Sequence, residues 1–559
     1  MSAAERPRAS VAVSGSQSGV SRDRVTVVLI TKNEERRIER CLASVAWADE
    51  IVVVDDESSD RTQALCRACG ATVIVRPSGG DFDQQRNAGI DAASGEWILQ
   101  LDADEVVSPA LREEIRGVLE RSTGVVAYRV RRQNVFLGRE MRYGGWGWNG
   151  VKLFRKLAAR YVGHSVHETL AVNGSVGELA QPIQHYPFQS LTQFIERQNF
   201  YSDVEARLLR ESHATVTEPS LRYQLLVRPL KLFWKSYVKQ SGYREGLHGL
   251  VFAALFAWTH FLKWAKWWEA GLARAEPRPL GSVEPVRGMP ARAAGRPAGA
   301  VPDRETLSVV ILTKDEEGKI GRCLASVRWA DEVIVVDGES QDRTPEIARA
   351  FGATVVSHAF DGSFATDRNL GMAHAHGEWV LQIDADERVT PELAEEIRTL
   401  LAPPSHGGAH GTYAIPRRNY IGKTWLRHGG WYPSAPLKLF KKSAFRWEET
   451  TVHPRAIGDG SCGQTRYDLL HYSYRDLADF VAKLNRQTTL EAEKWISDGR
   501  RMTLGKALWR SVDRCLRSYI GKQGYKDGRW GFIMAVMGGA YQFLSYAKYW
   551  EHTLNPRRR

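Results

Sequence analysis

The sequence predicts an α/β protein made of two tandem copies of one domain, each with a doubly wound, mostly parallel sheet and a helical segment after it. The stretch at residues 97–105 recurs at residues 379–387 with only two conservative changes, which indicates an internal duplication. Within each copy, β-branched runs alternate with helical patterns, and this βαβαβ order is typical of parallel sheets. At 559 residues, the chain is also too long for a single core.

The first copy shows the alternation element by element. Val25–Thr31 is a continuous apolar run, as expected for a strand buried on both faces. We expect after it a helix around residues 38–45, a strand at 50–56, a helix at 62–70, strands at 72–75 and 97–102, an amphipathic helix after 109, and strands at 127–132 and 152–154. Ligands of such sheets bind outside the carboxyl ends of the strands.

Composition shifts predict the domain boundaries. We assign residues 1–24 to a disordered tail, 25–190 to the first domain, 191–272 to a helical segment, 273–304 to a linker rich in Pro, Gly and Arg, 305–475 to the second domain and 476–559 to a second helical segment. A linker of that composition is flexible and partly extended.

Charge and cysteine content limit the class of protein. A net charge of +12 indicates an anionic partner, which could be nucleic acid, an acidic membrane surface or a phosphorylated substrate. The tail lacks the apolar core of a signal peptide, so we expect a cytoplasmic protein. Cys66 and Cys69 have the spacing of half a zinc site, but the second copy has Ala348 and Phe351 there, which favours a buried helix face.

The recurring stretch ends in a predicted cation site. An apolar strand runs into Asp102, Ala103 and Asp104 in the first copy, and into Asp384 and Asp386 in the second. Alternation along an extended chain points both carboxylates to one side. Mg²⁺ and Mn²⁺ prefer such oxygen ligands and leave coordination positions for substrate phosphates. A single pair could instead be an acidic helix start, but its repetition favours the cation site.

Two further polar clusters follow strands, at residues 31–34 and 55–62. A carboxylate after the second strand can bind ribose hydroxyls or a base edge. The alternative for Asp55 and Asp56 is capping of the next turn. No glycine-rich phosphate-binding loop follows the first strand, which argues against nicotinamide-dependent oxidoreductases and P-loop enzymes. A metal must then neutralise a bound diphosphate.

Arginine and tryptophan recur beside these clusters. Arg86 and Arg368 lie in a repeated Arg-Asn-x-Gly motif, where they could contact a metal-bound diphosphate or form surface salt bridges. Trp146 and Trp431 lie in glycine-rich loops, where they could stack on a sugar of the acceptor or pack in the core.

Each copy closes with an apolar, aromatic-rich helix flanked by Lys and Arg. The apolar runs near residues 250–258 and 532–537 are too short to span a bilayer. Their flanks are typical of a helix in the headgroup interface, so we expect peripheral association with an anionic membrane. A core helix and a dimerisation helix are the alternatives.

These motifs resemble those of the inverting family 2 glycosyltransferases of the GT-A fold. The first copy reads VLITKNEE, then IVVVDDESSDRT, then LDADE, and the second copy repeats their order. Within that family, the motifs resemble those of the branch that contains the lipopolysaccharide core β-glucosyltransferases. The resemblance covers residues 25–269 and 307–551. It implies two tandem GT-A domains, each using a nucleotide-diphosphate sugar together with Mg²⁺ or Mn²⁺.

The resemblance also implies roles for individual residues. Asp104 and Asp386 would bind the metal. The acceptor is assigned to Trp146 and Trp431 from their glycine-rich loops and not from the resemblance. The nucleotide sugar would be bound by Thr31, Glu34, Asp55, Asp56, Arg86 and Asp102 in the first copy and by Thr313, Glu316, Asp337, Arg368 and Asp384 in the second.

A base must take the proton of the attacking hydroxyl. We expect Glu168 to serve in the first copy, with His167 orienting it. The matching position in the second copy is Pro454. That copy either draws its base from the nearby Glu448 or Glu449, of which we select Glu449, or serves binding and regulation.

Three functions compete at this stage. The preferred one is a transferase with two active sites that glycosylates a lipopolysaccharide-like or lipid-linked acceptor at the cytoplasmic face of the inner membrane. A transferase acting on polysaccharide or protein in solution is the second. A nucleic-acid-binding scaffold is disfavoured because the basic residues form no nucleic-acid recognition motif.

Overall fold

The structure is a computed structural model that describes residues 23–79, 81–121, 124–162, 170–212, 216–274, 304–359, 364–402, 410–448, 456–458 and 461–554. It forms two compact units. One comprises the described residues up to Gln189 together with residues 232–254, and the other comprises residues 190–231 and the described residues from Leu255 onward. The calls on the N-terminal tail and on most of the linker lie outside the described residues.

The first copy follows the predicted alternation of strands and helices. Its elements are β1 (Val25–Thr31), α1 (Ile38–Val45), β2 (Glu50–Asp55), α2 (Thr62–Ala68), β3 (Thr72–Val75), α3 (Phe82–Ala92), β4 (Trp97–Asp102), β5 (Glu105–Val106), α4 (Pro109–Leu119), β6 (Ala127–Phe136), β7 (Arg139–Glu140), β8 (Trp148–Arg155), β9 (Ala159–Tyr161), β10 (Leu170–Val172) and β11 (Val176–Phe188).

One nine-stranded sheet holds the first copy together. Its order is β3-β2-β1-β4-β8-β6-β11-β5, with β7 beside β6, and β1 to β4 are mutually parallel. Val27 and Leu29 of β1 face one core and Val28 faces the other, as predicted for a strand buried on both faces. Because β1 pairs in parallel with both β2 and β4, Asp55 and Asp102 end their strands at the same edge of the sheet.

Along the chain, a series of helices follows the first copy and precedes the second. They are α5 (Leu191–Glu211), α6 (Glu218–Arg222), α7 (Arg228–Trp234) and α8 (Leu247–Arg274), with π-helical turns at Tyr223–Val227 and Lys235–Lys239.

The second copy repeats the plan. Its elements are β12 (Leu307–Thr313), α9 (Glu317–Ser326), β13 (Glu332–Asp337), α10 (Thr344–Ala350), β14 (Thr354–Ser357), α11 (Phe364–His374), β15 (Trp379–Asp384), β16 (Glu387–Val389), α12 (Pro391–Leu400), β17 (Thr412–Ala414), β18 (Arg417–Ile421), β19 (Thr424–Trp425), β20 (Leu437–Lys441), β21 (Phe445–Trp447), β22 (Ala456–Gly458), β23 (Cys462–Gln464), β24 (Leu469–Tyr474), α13 (Leu477–Ser497), α14 (Leu504–Leu516) and α15 (Gly528–Leu554). The predicted fold class, tandem α/β domains each followed by helices, is confirmed.

The two copies differ where a proline enters a strand. The second copy has a seven-stranded sheet, β14-β13-β12-β15-β20-β17-β23, and a separate four-stranded sheet, β16-β24-β18-β19. Pro416 lies between β17 and β18, where the first copy has Arg131 inside the continuous β6. Proline cannot donate a ladder hydrogen bond in a central strand, which accounts for the division into two sheets.

Within the second unit, each copy supplies a carboxylate to a helix of the other. Glu269 on α8 accepts a hydrogen bond from the backbone N–H of Leu477, the first residue of α13, at 3.0 Å. Glu551 on α15 accepts one from the N–H of Leu191, the first residue of α5, at 3.2 Å. The helices of the two copies are therefore joined by reciprocal contacts.

The apolar runs of the closing helices are largely buried, although Phe256 is 47% exposed. Phe252 of α8 stacks on Trp146 with ring centroids 4.7 Å apart. Ile533, Met534 and Met537 of α15 are buried within the second unit. These contacts correspond to the core-helix alternative. Among the described residues, no helix has both the length and the apolarity needed to cross a membrane.

Candidate active site

Asp102 lies in a cluster of cations at the carboxyl end of β4. Its carboxylate contacts Arg86 Nη2 at 3.0 Å, Arg132 Nη2 at 3.0 Å and Lys152 Nζ at 3.4 Å. Burial alone would raise the pKa of the Asp102 carboxyl, but the charges of Lys152, Arg86 and Arg132 outweigh it and hold the pKa well below its usual range. Asp102 is therefore ionised throughout the physiological pH range.

Glu105 is the second carboxylate in this cluster of cations. Its fully buried carboxylate contacts Arg132 at 2.6 Å and Lys152 at 2.7 Å. Three cations thus face Asp102 and Glu105, and Asp104 lies beside them at the edge where ligands bind. Cations held in a partly desolvated cleft can pair with an anion such as a diphosphate.

The second copy repeats this arrangement. Lys438 Nζ lies 3.1 Å from Asp384 and 2.6 Å from Glu387, and Arg417 lies 3.4 Å from Glu387. Burial opposes ionisation of Asp384, yet Lys438 and Arg368 lower the pKa of that carboxyl well below its usual range.

Asp104 has different neighbours, because its side chain faces β11. Its carboxylate lies 3.5 Å from His185 Nε2 and 3.5 Å from Arg37 Nη1. The His185 ring is positioned in turn by Asn134, whose Oδ1 lies 2.5 Å from His185 Nδ1. Asn134 Nδ2 donates to the carbonyl oxygen of Trp146.

These contacts fix the orientation of the imidazole. Since the Asn134 amide group donates to the Trp146 carbonyl, its oxygen faces His185 and accepts from Nδ1–H. Nε2, the other ring nitrogen, is then directed toward Asp104. Metal-binding histidines are held by this kind of second hydrogen bond. One carboxylate and one imidazole nitrogen fit a divalent cation whose other positions are filled by phosphate oxygens and water.

The same chain of contacts occurs in the second copy. His471 Nε2 lies 3.5 Å from Asp386, His471 Nδ1 lies 2.7 Å from Asn419 Oδ1, and Asn419 Nδ2 donates to the Trp431 carbonyl at 2.5 Å. No group of three or more His, Cys, Asp or Glu side chains with metal-binding geometry occurs in the described parts of the chain.

The two carboxylates of the predicted nucleotide cluster each accept three hydrogen bonds but differ in exposure. Asp55 is fully buried and accepts hydrogen bonds from Ser58 N–H, Ser58 Oγ and Gln63 Nε2 at 2.6–2.8 Å. This is the turn-capping geometry. Asp56 is partly exposed, with Lys32 Nζ at 2.9 Å and Ser78 N–H at 2.7 Å. Of the two, Asp56 is better placed to meet a ligand.

The remaining members of that cluster lie close by. The buried Thr31 Oγ1 has no hydrogen-bond partner among the described residues, and the same holds for Thr313 Oγ1. Glu34 binds Arg37, and Glu316 binds Lys319 at 3.0 Å. In the second copy Asp337 accepts from Ser340 in the same turn, and Gly338 replaces Asp56.

Trp146 and Trp431 serve the site through their backbone carbonyls. The Trp146 ring is half-buried and stacks on Phe252 and Phe188, with centroids 4.7 and 6.1 Å away. These contacts correspond to the core-packing alternative. A pocket of about 690 Å³ nevertheless opens beside it, lined in part by Arg132 and Gln184.

The predicted bases lie outside the described residues. This applies to His167 and Glu168 in the first copy and to Glu449 and Pro454 in the second. Their assignment stays a prediction.

Several site residues were absent from the sequence-based site. They are Arg132, Asn134, Lys152 and His185, with Arg417, Asn419, Lys438 and His471 in the second copy. The available signal was their recurrence at matched positions, such as the His-Tyr pairs at 185–186 and 471–472.

Comparison with known families matches both copies. The family model "Glycosyl transferase family 2" matches residues 26–172 and 308–457, which is more than half of the chain.

Curated relatives match one copy at a time. An uncharacterized glycosyltransferase, RT0209, of Rickettsia typhi is 28% identical over 262 residues, which cover 44% of this chain and 88% of that protein. The lipopolysaccharide core biosynthesis glycosyltransferase LpsC of Rhizobium meliloti is 26% identical over 258 residues, which cover 45% of this chain and 94% of that protein.

Solved structures give weaker likenesses. TarS 1–349 of S. aureus, crystallised with UDP, is 16% identical, with a TM-score of 0.24, over 45% of this chain and 92% of that chain. Glucosyl-3-phosphoglycerate synthase of Mycobacterium tuberculosis, crystallised with Mn²⁺, UDP and glucosyl-3-phosphoglycerate, is 24% identical, with a TM-score of 0.18, over 20% of this chain and 44% of that chain.

Proposed function

Because the chain belongs to glycosyl transferase family 2, we propose that it transfers sugars from nucleotide-diphosphate sugars to hydroxyl groups of a bacterial cell-envelope glycan or lipid-linked acceptor. The relative named for lipopolysaccharide core biosynthesis supports this class of acceptor. Each copy carries one active site in this proposal.

The observation that carries the proposal is the repeated cationic cluster. Arg86, Arg132 and Lys152 surround Asp102 at the ligand-binding edge of the sheet, and Lys438 and Arg417 lie near Asp384 in the second copy. The donor diphosphate carries the negative charge that these groups would neutralise. Neutralisation also stabilises the nucleoside diphosphate as it leaves, when its charge grows.

Asp104 and His185 are the residues that would hold a divalent cation, with Asp386 and His471 in the second copy. When bound, Mg²⁺ or Mn²⁺ would supply Lewis-acid stabilisation of the leaving diphosphate. A mixed oxygen and nitrogen donor pair suits Mn²⁺ at least as well as Mg²⁺. Asn134 and Asn419 keep the imidazoles in the orientation that leaves Nε2 available.

The remaining roles follow from the direction of attack. The acceptor hydroxyl approaches the anomeric carbon opposite the leaving group, so the reaction inverts configuration there. Glu168, oriented by His167, is proposed to take the hydroxyl proton in the first copy, and Glu449 in the second. Asp56 is proposed to contact the nucleotide, because its carboxylate is the more accessible of the pair after β2.

We also propose that the enzyme works at the cytoplasmic face of the inner membrane, where lipid-linked acceptors are available. The net charge of +12 supports contact with anionic lipid.

The test is a donor screen on the purified full-length protein. Release of nucleoside diphosphate is measured for a set of nucleotide sugars with Mn²⁺, with Mg²⁺ and with a chelator. The proposal expects turnover with at least one donor and its loss with the chelator. Absence of hydrolysis and of transfer under every metal condition would overturn it.

A second candidate has one active copy and one binding or regulatory copy. Two differences favour it: Gly338 stands in place of Asp56, and Pro454 in place of Glu168. Separate inactivation of the two copies distinguishes the candidates.

A further inference from the structure

α14 exposes an apolar stripe on one of its faces. Trp509 and Val512 are 71% and 54% exposed, and Leu508 and Leu516 are exposed as well. At about 100° per residue, these four side chains fall within about 100° of arc around the helix. Ala507 is directed away from them and is buried. The helix is thus amphipathic, but part of its apolar side faces solvent.

The first copy exposes apolar side chains at the matching positions. Leu226, Val227 and Leu230 correspond to Leu508, Trp509 and Val512, and all are exposed, Leu230 by 71%. Isolated exposed apolar residues are ordinary on protein surfaces. Exposed apolar side chains at the same three positions in both copies are a repeated feature that calls for a partner.

Basic residues accompany both rows. The sequence from Arg222 to Arg244 contains six Lys and Arg and no Asp or Glu, and the sequence from Arg500 to Lys526 contains eight and a single acid, Asp513. An exposed apolar stripe edged with cations is typical of a helix in the headgroup region of an anionic bilayer. Two copies of this protein would instead bring like charges together across the stripe, which disfavours self-association.

We propose that α14 docks on the surface of an anionic lipid bilayer, with Trp509 and Val512 entering the headgroup region and Lys506 and Arg517, on one flank of the stripe, contacting lipid phosphates. The matching segment of the first copy is a second contact of the same kind. This inference deepens the proposed membrane location, because it assigns the contact to helices other than the buried closing helices. It requires no nucleotide sugar, so its outcome is independent of transferase activity.

The experiment is flotation of the full-length protein with vesicles. One set is phosphatidylcholine alone, and the other contains about 30% phosphatidylglycerol. The apolar variant is Trp509→Ser with Val512→Ser, and the charge variant is Lys506→Gln with Arg517→Gln. The matched control is Phe200→Ser, since Phe200 is a 64% exposed aromatic residue on α5. Thermal melts check that each variant keeps the wild-type fold.

We expect the wild type to float with the anionic vesicles and to remain unbound with phosphatidylcholine alone. The apolar variant should lower the partition coefficient about tenfold or more, and the charge variant should lower it and weaken its dependence on salt. The control should bind as the wild type does. Wild-type binding by both double variants would overturn the inference. It would also fail if sedimentation showed a wild-type dimer that Trp509→Ser with Val512→Ser converts to monomer.

Discussion

Glu269 gives the most quantitative prediction about stability. Its carboxylate accepts the hydrogen bond from Leu477 N–H at the start of α13, inside the contact between the two copies. Burial raises the pKa of Glu269 to about 7, and the nearby Asp476 adds to the effect against the opposing charge of Lys266. The perturbation is Glu269→Gln, which keeps an oxygen acceptor and removes the ionisation.

The size of the effect follows from the pKa. A carboxyl raised from 4.5 to about 7 in the folded state costs about 3 kcal/mol of stability once it is ionised. Between these two values the folded protein binds more protons than the unfolded chain, so wild-type stability falls as pH rises through this window. Above pH 7 the full cost is present. Glu269→Gln should therefore match the wild type near pH 4.5 and exceed it by up to about 3 kcal/mol at pH 8.

The assay is thermal unfolding of both proteins at several values of pH between 4.5 and 8. We expect the Tm of Glu269→Gln to exceed that of the wild type by several degrees at pH 8, with the gap closing toward pH 4.5. Glu211→Gln is the control, because Glu211 is exposed at the end of α5. A gap that is absent at pH 8, or that widens toward low pH, would refute the reasoning.

Three further predictions concern the first copy. Asn134→Ala should weaken metal-dependent turnover about 10- to 100-fold at low Mn²⁺, with recovery at high Mn²⁺, because Asn134 acts on the metal through the position of His185. A titration of turnover against Mn²⁺ checks this prediction, and a loss of turnover that persists at saturating Mn²⁺ would contradict it. Arg132→Met should raise the KM for the donor, and it should lower the free energy of unfolding by about 1–3 kcal/mol because buried Glu105 loses a partner. Steady-state kinetics measure the KM and thermal melts measure the stability. An unchanged KM would contradict donor binding by the cationic cluster. Burial raises the pKa of the Cys41 thiol well above its usual value. At pH 8 a maleimide should therefore modify the exposed Cys69 and leave Cys41 unmodified until the protein unfolds. Mass spectrometry identifies the modified cysteine, and rapid labelling of Cys41 would contradict the prediction.

The sequence was sufficient to predict the sheet and the edge of the sheet at which ligands bind. Apolar runs such as Val25–Thr31 and the acidic ends of β2 and β4 have local patterns, and parallel pairing then brings their ends together. Because the motifs occur twice in the chain, each prediction could be compared with the matching position of the other copy. These are the parts of the fold that depend on periodicity within a few residues.

The cationic cluster could not be predicted, because it is assembled across distant strands. Lys152 on β8 and His185 on β11 reach the acidic stretch of β4 only through antiparallel and crossover pairings that no local pattern specifies. The same holds for Trp146, whose ring packs against Phe252 from a helix about a hundred residues later. Burial of the closing helices likewise depends on tertiary partners rather than on their composition.

The most direct test of two working sites is donor turnover by Asp104→Asn, Asp386→Asn and the double variant in the presence of Mn²⁺. Asp91→Asn, at an exposed carboxylate of the first copy, is the control. The account predicts that each single variant loses one part of the wild-type activity, that the double variant loses all of it, and that the control loses none. Wild-type turnover by the double variant would contradict the assignment of both sites.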